Sequence, residues 1–162
     1  MATATHNLSE HDPTSVPSGA GLRFALVVSE WNPEVTDALR KGARETLLKY
    51  GVAEADIVER WVPGSFELAA GAQFLLERLE LDGVICLGSI VRGETPHFDF
   101  VCQGTTQGIM TVGLTFSLPV IFGVLTDDTL QQAKDRSGGK HGNKGIDCAV
   151  AVLKMAALKR NG

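Results

Sequence analysis

The feature of this chain that most constrains its fold is an alternation of two hydrophobic rhythms from Arg23 onward. "RFALVVS" (23–29), "DGVICLG" (82–88) and "LPVIFGVLT" (118–126) are short, nearly unbroken apolar runs rich in β-branched residues, and "DIVERWV" (56–62) alternates like a strand. Between them, Val35, Ala38, Leu39, Ala43, Leu47 and Tyr50 recur at helical spacing over 34–50, and a second helix is predicted over 66–79. A third, over 97–117, sets Phe98, Val101, Cys102, Thr105, Ile109, Val112 and Phe116 on one stripe. A helix through Arg136, a break at "SGGKHGNKG" (137–145) and a last helix from about Lys144 to Lys159 complete the pattern. Strands that are apolar throughout must be covered on both faces, so this order implies a parallel sheet between two helical layers. Right-handed crossovers restrict the winding to a three-layer α/β sandwich with a four-stranded, flavodoxin-like sheet.

One domain over 21–162 is expected, preceded by a flexible N-terminal tail over 1–20. The tail is polar and rich in Pro, Ser and Thr, and no role is assigned to its His6 and His11. It has no apolar core segment and no arginine, and it carries Glu10 and Asp12, so it is neither a secretory signal nor a transit peptide, and a cytoplasmic location is expected. A net charge of −4 without a basic cluster argues against nucleic acid as partner. No apolar run approaches the roughly 20 residues that span a bilayer, which argues against a membrane partner. Cys86, Cys102 and Cys148 lie in apolar segments at no metal-ligand spacing and read as buried thiols.

In doubly wound sheets the ligand site lies beyond the carboxyl ends of the strands, where the winding reverses. The unusual residues gather at those ends, in "SEWNPE", "PGSFE", "SIVRGETPH" and around "VIFGVLT". Thr95-Pro96 is a helix-start signal that puts His97 in the first turn. The unpaired N–H groups there welcome an anion, and the same field disfavours imidazolium, leaving a ring able to accept a proton. Trp31 closes the first strand before Asn32-Pro33. It either packs in the core or stacks on a planar ligand. Glu67, at another helix start, either caps its helix or binds a ligand hydroxyl or amine. Arg136 offers a bidentate anion clamp, with Lys144 nearby, unless both are solvated surface charges. "GGKHGNKG" does not fit the P-loop pattern, and no dinucleotide fingerprint follows the first strand. The residues thus describe a site that stacks a heterocycle, binds a small anion and moves protons.

At these same residues the chain resembles the lumazine synthase family over about residues 22–160. "WNPEVTDALRKGA", "WVPGSFELA", "LGSIVRGETPHFDFV" and "FGVLTDDTLQQAKDRSGGKHGNKGIDCA" carry the likeness. The resemblance implies condensation of 5-amino-6-(D-ribitylamino)uracil with 3,4-dihydroxy-2-butanone 4-phosphate to 6,7-dimethyl-8-ribityllumazine, with no metal or organic cofactor. It implies that Trp31 stacks on the pyrimidinedione, that Ser65, Phe66 and Glu67 take the ribityl chain, and that Ser89, Ile90 and Val91 bond the ring edge. It also implies that Glu94 and Thr95 lie on the phosphate side, that His97 transfers protons, that Phe122 covers the far face of the ring, and that Arg136 and Lys144 serve the phosphate. Family members often have phenylalanine where Trp31 stands, and a larger π face would hold flavin-like products more tightly. "ELAAG" stands where the family often has a proline, a change expected to affect local packing only.

The resemblance further implies homopentamers whose active sites are split between subunits, with Phe122, Arg136 and Lys144 lent by a neighbour. The compact "GGKHGNKG" joint favours twelve pentamers in an icosahedral shell, and riboflavin synthase is a candidate partner. The last helix is apolar on several sides, which suits burial between subunits. Two rival readings stay open on sequence alone: a flavin-storage shell with little catalysis, and a flavodoxin-like carrier.

Overall fold

The computed structural model describes residues 6–162. Strands β1 (Phe24–Ser29), β2 (Ile57–Val62), β3 (Gly83–Val91) and β4 (Val120–Asp127) form one sheet in the order β2-β1-β3-β4. Every neighbouring pair is parallel. Helices α1 (Pro33–Lys49) and α5 (Lys144–Asn161) cover one face, and α2 (Leu68–Leu76) and α3 (His97–Phe116) the other. This is the doubly wound α/β sandwich that the apolar strand runs imply. Within β1, Phe24, Leu26 and Val28 point into the α1–α5 layer, while Ala25 and Val27 point into the α2–α3 layer. All six β1 residues are buried, which is why the run shows no polar alternation.

Three local differences from the sequence reading bear on the site. β3 runs to Val91 rather than ending at Gly88, because Val84 to Val91 pair in register with Val120 to Asp127. Residues Ser65–Glu67 form a 3-10 turn ahead of a shorter α2, not the first turn of a helix over 66–79. After α4 (Leu130–Asp135), the glycine-rich break folds as a small antiparallel hairpin, β5 (Ser137–Gly139) with β6 (Gly142–Asn143).

Part of the expected N-terminal tail carries bonds to the rest of the chain. Residues 1–5 of it lie outside the described residues. From Asn7 on, the segment is bonded to the sandwich. The Leu8 N–H donates to the His141 carbonyl (2.7 Å) and the Gly19 N–H to the Tyr50 carbonyl (2.7 Å). His11 Nε2 lies 2.7 Å from the Tyr50 hydroxyl. Polar side chains that signal a tail by composition here find fixed partners on the hairpin and at the end of α1. Helix α5 also differs: Ala149, Val150, Val152, Leu153 and Ala156 are buried within the chain itself, and its exposed large apolar residues are Met155 and Leu158.

The two helices of the first layer meet at a junction with no spare room. Asn143 caps α5, accepting from the Gly145 N–H (2.8 Å), and its Nδ2 donates to the Ala38 carbonyl of α1 (3.0 Å). A Cβ at Gly145 would fall onto the Leu39 carbonyl oxygen, a backbone atom that cannot rotate away. Gly145→Ala gains about 1 kcal/mol of helix propensity. The clash should outweigh it, for a net loss of roughly 1–3 kcal/mol in denaturant unfolding. An unchanged midpoint would mean that α1 and α5 do not pack this closely.

Candidate active site

The winding reverses between β1 and β3, and a cavity of about 380 Å³ opens there at the carboxyl ends of the strands. Trp31, Ser65, Phe66, Glu67, Ser89, Ile90, Val91, Thr95 and His97 line it. Glu94 does not, although Gly93 and Thr95 on either side of it do.

Trp31 is 69% exposed, so core packing does not account for it. The turn that presents it is held by Asn32, a non-glycine residue in the left-handed region (φ 58°), whose Nδ2 donates to the Ser89 carbonyl at the end of β3 (3.2 Å). Asparagine tolerates that conformation better than most residues, and Pro33 then starts α1. Asn32 was legible as a turn residue, but its tie to β3 has no sequence signal.

On the opposite side, the Ser65–Glu67 turn presents two kinds of contact. Phe66 is exposed and lies over Gly104 of α3, where a Cβ would come within 2.8 Å of its ring. The Glu67 carboxylate is also exposed and folds back near Gly64, so it does not cap α2. Ser65 is buried against Gly88, and its Oγ has no hydrogen-bond partner. The Ser89 Oγ is likewise buried and unpartnered. An orphaned buried hydroxyl costs about 1–3 kcal/mol, and both of these are sealed beneath the cavity wall rather than open to it.

His97 is the first residue of α3 and is exposed; its N–H reaches the Thr95 hydroxyl at a long 3.4 Å. The turn before it is clamped by Arg92. The Arg92 Nε donates to Asp128 (2.7 Å), Nη1 lies 3.5 Å from Asp99, and the guanidinium stands 4.3 Å from the Phe98 ring centre. Phe98 and Val101 complete the wall. The sequence marks them only as members of the α3 stripe.

Phe122, Arg136 and Lys144 are elsewhere. They line a second cavity of about 280 Å³ along β4, the edge strand, together with Asp127 and His141. The two cavities have no lining residue in common. Arg136 Nη1 donates to the Gln132 carbonyl (3.1 Å) and lies 3.9 Å from Asp127 Oδ1. Lys144 Nζ pairs with Asp147 (2.6 Å), and its backbone N–H donates to the Arg136 carbonyl (2.9 Å). Asp127 is buried and its Oδ2 is unpartnered. Among the described residues, no three His, Cys, Asp or Glu side chains gather as metal ligands. Cys86 and Cys148 are buried thiols, each pushed up to about 12 mainly by burial, whereas Cys102 is only half-buried.

A family model described as 6,7-dimethyl-8-ribityllumazine synthase matches residues 21–160. A protein of Porphyromonas gingivalis named 6,7-dimethyl-8-ribityllumazine synthase is 54% identical over 160 residues, covering 99% of each chain. Proteins of the same name from Parabacteroides distasonis and Phocaeicola vulgatus are 54% and 50% identical, covering 96% and 98% of this chain and 97% and 95% of their own.

Asp127 makes the second cavity sensitive to pH. Burial pushes its carboxyl above the ordinary 3.8, Arg136 pulls the other way, and Asp128 adds to the rise. The folded chain therefore holds this proton more tightly than the unfolded chain. The contribution of the group to stability is full below 3.8 and is lost as pH rises through the elevated value. Thermal melts of Asp127→Asn should show a gain over the parent at neutral pH that vanishes below pH 3.8. A gain that persists in acid would contradict the burial argument.

Proposed function

The chain belongs to the 6,7-dimethyl-8-ribityllumazine synthase family, and we propose that its active site is completed between two copies, by the His97 cavity of one and the Arg136 cavity of the next. The enzyme is a transferase of riboflavin biosynthesis. It condenses 5-amino-6-(D-ribitylamino)uracil with 3,4-dihydroxy-2-butanone 4-phosphate to 6,7-dimethyl-8-ribityllumazine, releasing phosphate and water. The observation that carries the shared-site reading is the separation itself. One cavity holds the exposed indole and the histidine, and the other holds the arginine and the lysine.

Each half suits one substrate. Trp31 stacks on the pyrimidinedione, and the end of β3 from Ser89 to Val91 offers backbone groups to the ring edge. The turn Ser65–Glu67 takes the ribityl hydroxyls, with the exposed Glu67 carboxylate accepting. Phe122 of the adjoining copy covers the other face of the ring. Arg136 and Lys144 hold the phosphate, with Glu94 and Thr95 at the join. The 5-amino nitrogen attacks the ketone and water leaves, giving an imine; the C–O bond to phosphate then breaks; the ribitylamino nitrogen closes the ring with loss of a second water. His97 is placed to carry the protons these steps need, and the guanidinium stabilises the departing dianion.

Homopentamers, and twelve of them in a shell, remain the proposed assembly. A groove lined by Met110, Leu114, Met155 and Leu158, whose large side chains are exposed, favours contact between copies. A location in the cytoplasm is proposed from the pathway, and no helix among the described residues is long and apolar enough to cross a membrane. A stand-alone storage shell is disfavoured, since the relatives above all carry the synthase name.

Mixing both substrates and following lumazine absorbance tests the catalytic assignment. His97→Ala should lower kcat on the order of 10²-fold without abolishing turnover, because orientation supplies much of the rate. Arg136→Ala should raise the KM for the phosphorylated ketone far more than that for the pyrimidine. If the site is shared, oligomers co-assembled from His97→Ala and Arg136→Ala chains recover part of the parental rate. Mixed oligomers no faster than the better single variant would sink the shared-site reading.

A further inference from the structure

The Arg136 cavity is walled in part by the other end of the chain. His6 and Leu8 line it beside Arg136, His141 and Lys144. A continuous path of hydrogen bonds joins this N-terminal segment to the two cationic residues. The Leu8 N–H donates to the His141 carbonyl (2.7 Å), and the Ser9 Oγ accepts from the Asn143 N–H (3.0 Å). The His141 N–H in turn donates to the Asp135 carbonyl (2.8 Å), and the Lys144 N–H to the Arg136 carbonyl (2.9 Å). The hairpin lies between the two sets of bonds, gripped on one side by residues 8–9 and gripping the Arg136 backbone on the other.

Gly142 shows how close this approach is. It is buried, with φ at +80°, and a Cβ there would fall onto the Asn7 side-chain oxygen and lie 2.7 Å and 2.9 Å from the Ser9 and Leu8 nitrogens. Only glycine lets the segment sit down on the hairpin. Ser9 is fixed in turn by its own N–H, which donates to Asn7 Oδ1 (2.9 Å).

We propose that His6–Ser9 is a specificity-determining part of the phosphate half-site: Leu8 and Ser9 position Arg136 and Lys144 through the hairpin, and the His6 ring adds an N–H donor for the phosphoryl oxygens. The ligand class is a small phosphomonoester dianion. Its oxygens can accept more donors than one guanidinium and one ammonium supply, and a neutral imidazole still carries one N–H. The inference rests on the assignment of the Arg136 cavity to phosphate, and it gives a binding role to a segment whose composition reads as a tail.

Steady-state kinetics of the full-length enzyme, with inorganic phosphate as competing probe, test it. Ser9→Ala and His6→Ala should each raise the KM for the butanone phosphate and the inhibition constant of phosphate by roughly threefold to tenfold, the loss of one hydrogen bond. The KM for the pyrimidine should move less than about twofold over the same range. Ser9→Thr, which keeps the hydroxyl, should behave as the parent. Arg136→Ala runs beside them. If it weakens phosphate inhibition while Ser9→Ala and His6→Ala do not, the half-site stands and this inference is overturned. Phosphate inhibition untouched by Arg136→Ala removes the half-site and the inference with it. Equal increases in both KM values would mark a general loss of structure and also overturn the positioning role.

Discussion

A parallel strand buried on both faces has nowhere to place a polar side chain except at its ends, and the cavity above β1 and β3 follows from that restriction. β3 is the clearest case. Gly83 to Ile90 are buried, and the first departures from the apolar run, Gly88 and Ser89, lie near its carboxyl end. Arg92 and Gly93 then turn the chain toward α3, whose N-cap is Pro96 rather than the threonine that the Thr95-Pro96 pair suggests, so His97 and the Arg92 clamp both lie within a few residues of the strand. The turns after β1 and β2 reach the same level. Three separate stretches of chain therefore meet in one cavity without any long loop.

The order of the strands sets a second limit. β3 lies between β1 and β4, and β4 is an edge, so residues that follow β4 approach a different side of the sheet from residues that follow β1. Arg136 and Lys144 are carried there by α4 and the hairpin, and Phe122 of β4 lines the same cavity. The separation of the two cavities within one chain is a product of topology, not of loop choice. The same topology leaves the hairpin dependent on outside support, since a two-stranded ribbon of so few residues has little stability of its own. Asn143 supplies that support on the α1 side and residues 8–9 on the other.

Much of this was legible in the residues. The four strands and the parallel winding follow from hydrophobic rhythm, and the place of the candidate site from turn chemistry such as Asn32-Pro33. The grouping of Trp31, Ser65, Glu67, Ser89 and His97 follows from their places at strand ends. Less was readable where a residue acts through a distant partner. Asn32 reaching Ser89, Asp127 buried beside Arg136, and Ser9 bonded to the hairpin each pair positions whose separation along the chain leaves no local pattern. At Leu8, Ser9, His11 and Gly19 the segment bonds to the hairpin and to the end of α1, contacts that a polar composition does not signal. In α5, Ala149, Val152, Leu153 and Ala156 are taken up by α1 and the sheet, while Met155 and Leu158 stay exposed, a division that composition does not reveal.

The three thiols differ in a way that has practical value. Cys86 and Cys148 are sealed in the interior and stay protonated up to about 12, which makes them unreactive toward alkylating reagents in ordinary buffers. Cys102 is half-buried and lines a groove with Phe122 and Thr126 beside the open edge of the sheet. Burial and Asp99 also push the Cys102 thiol up, against Arg92, so any label that enters slowly at alkaline pH marks this one position beside β4.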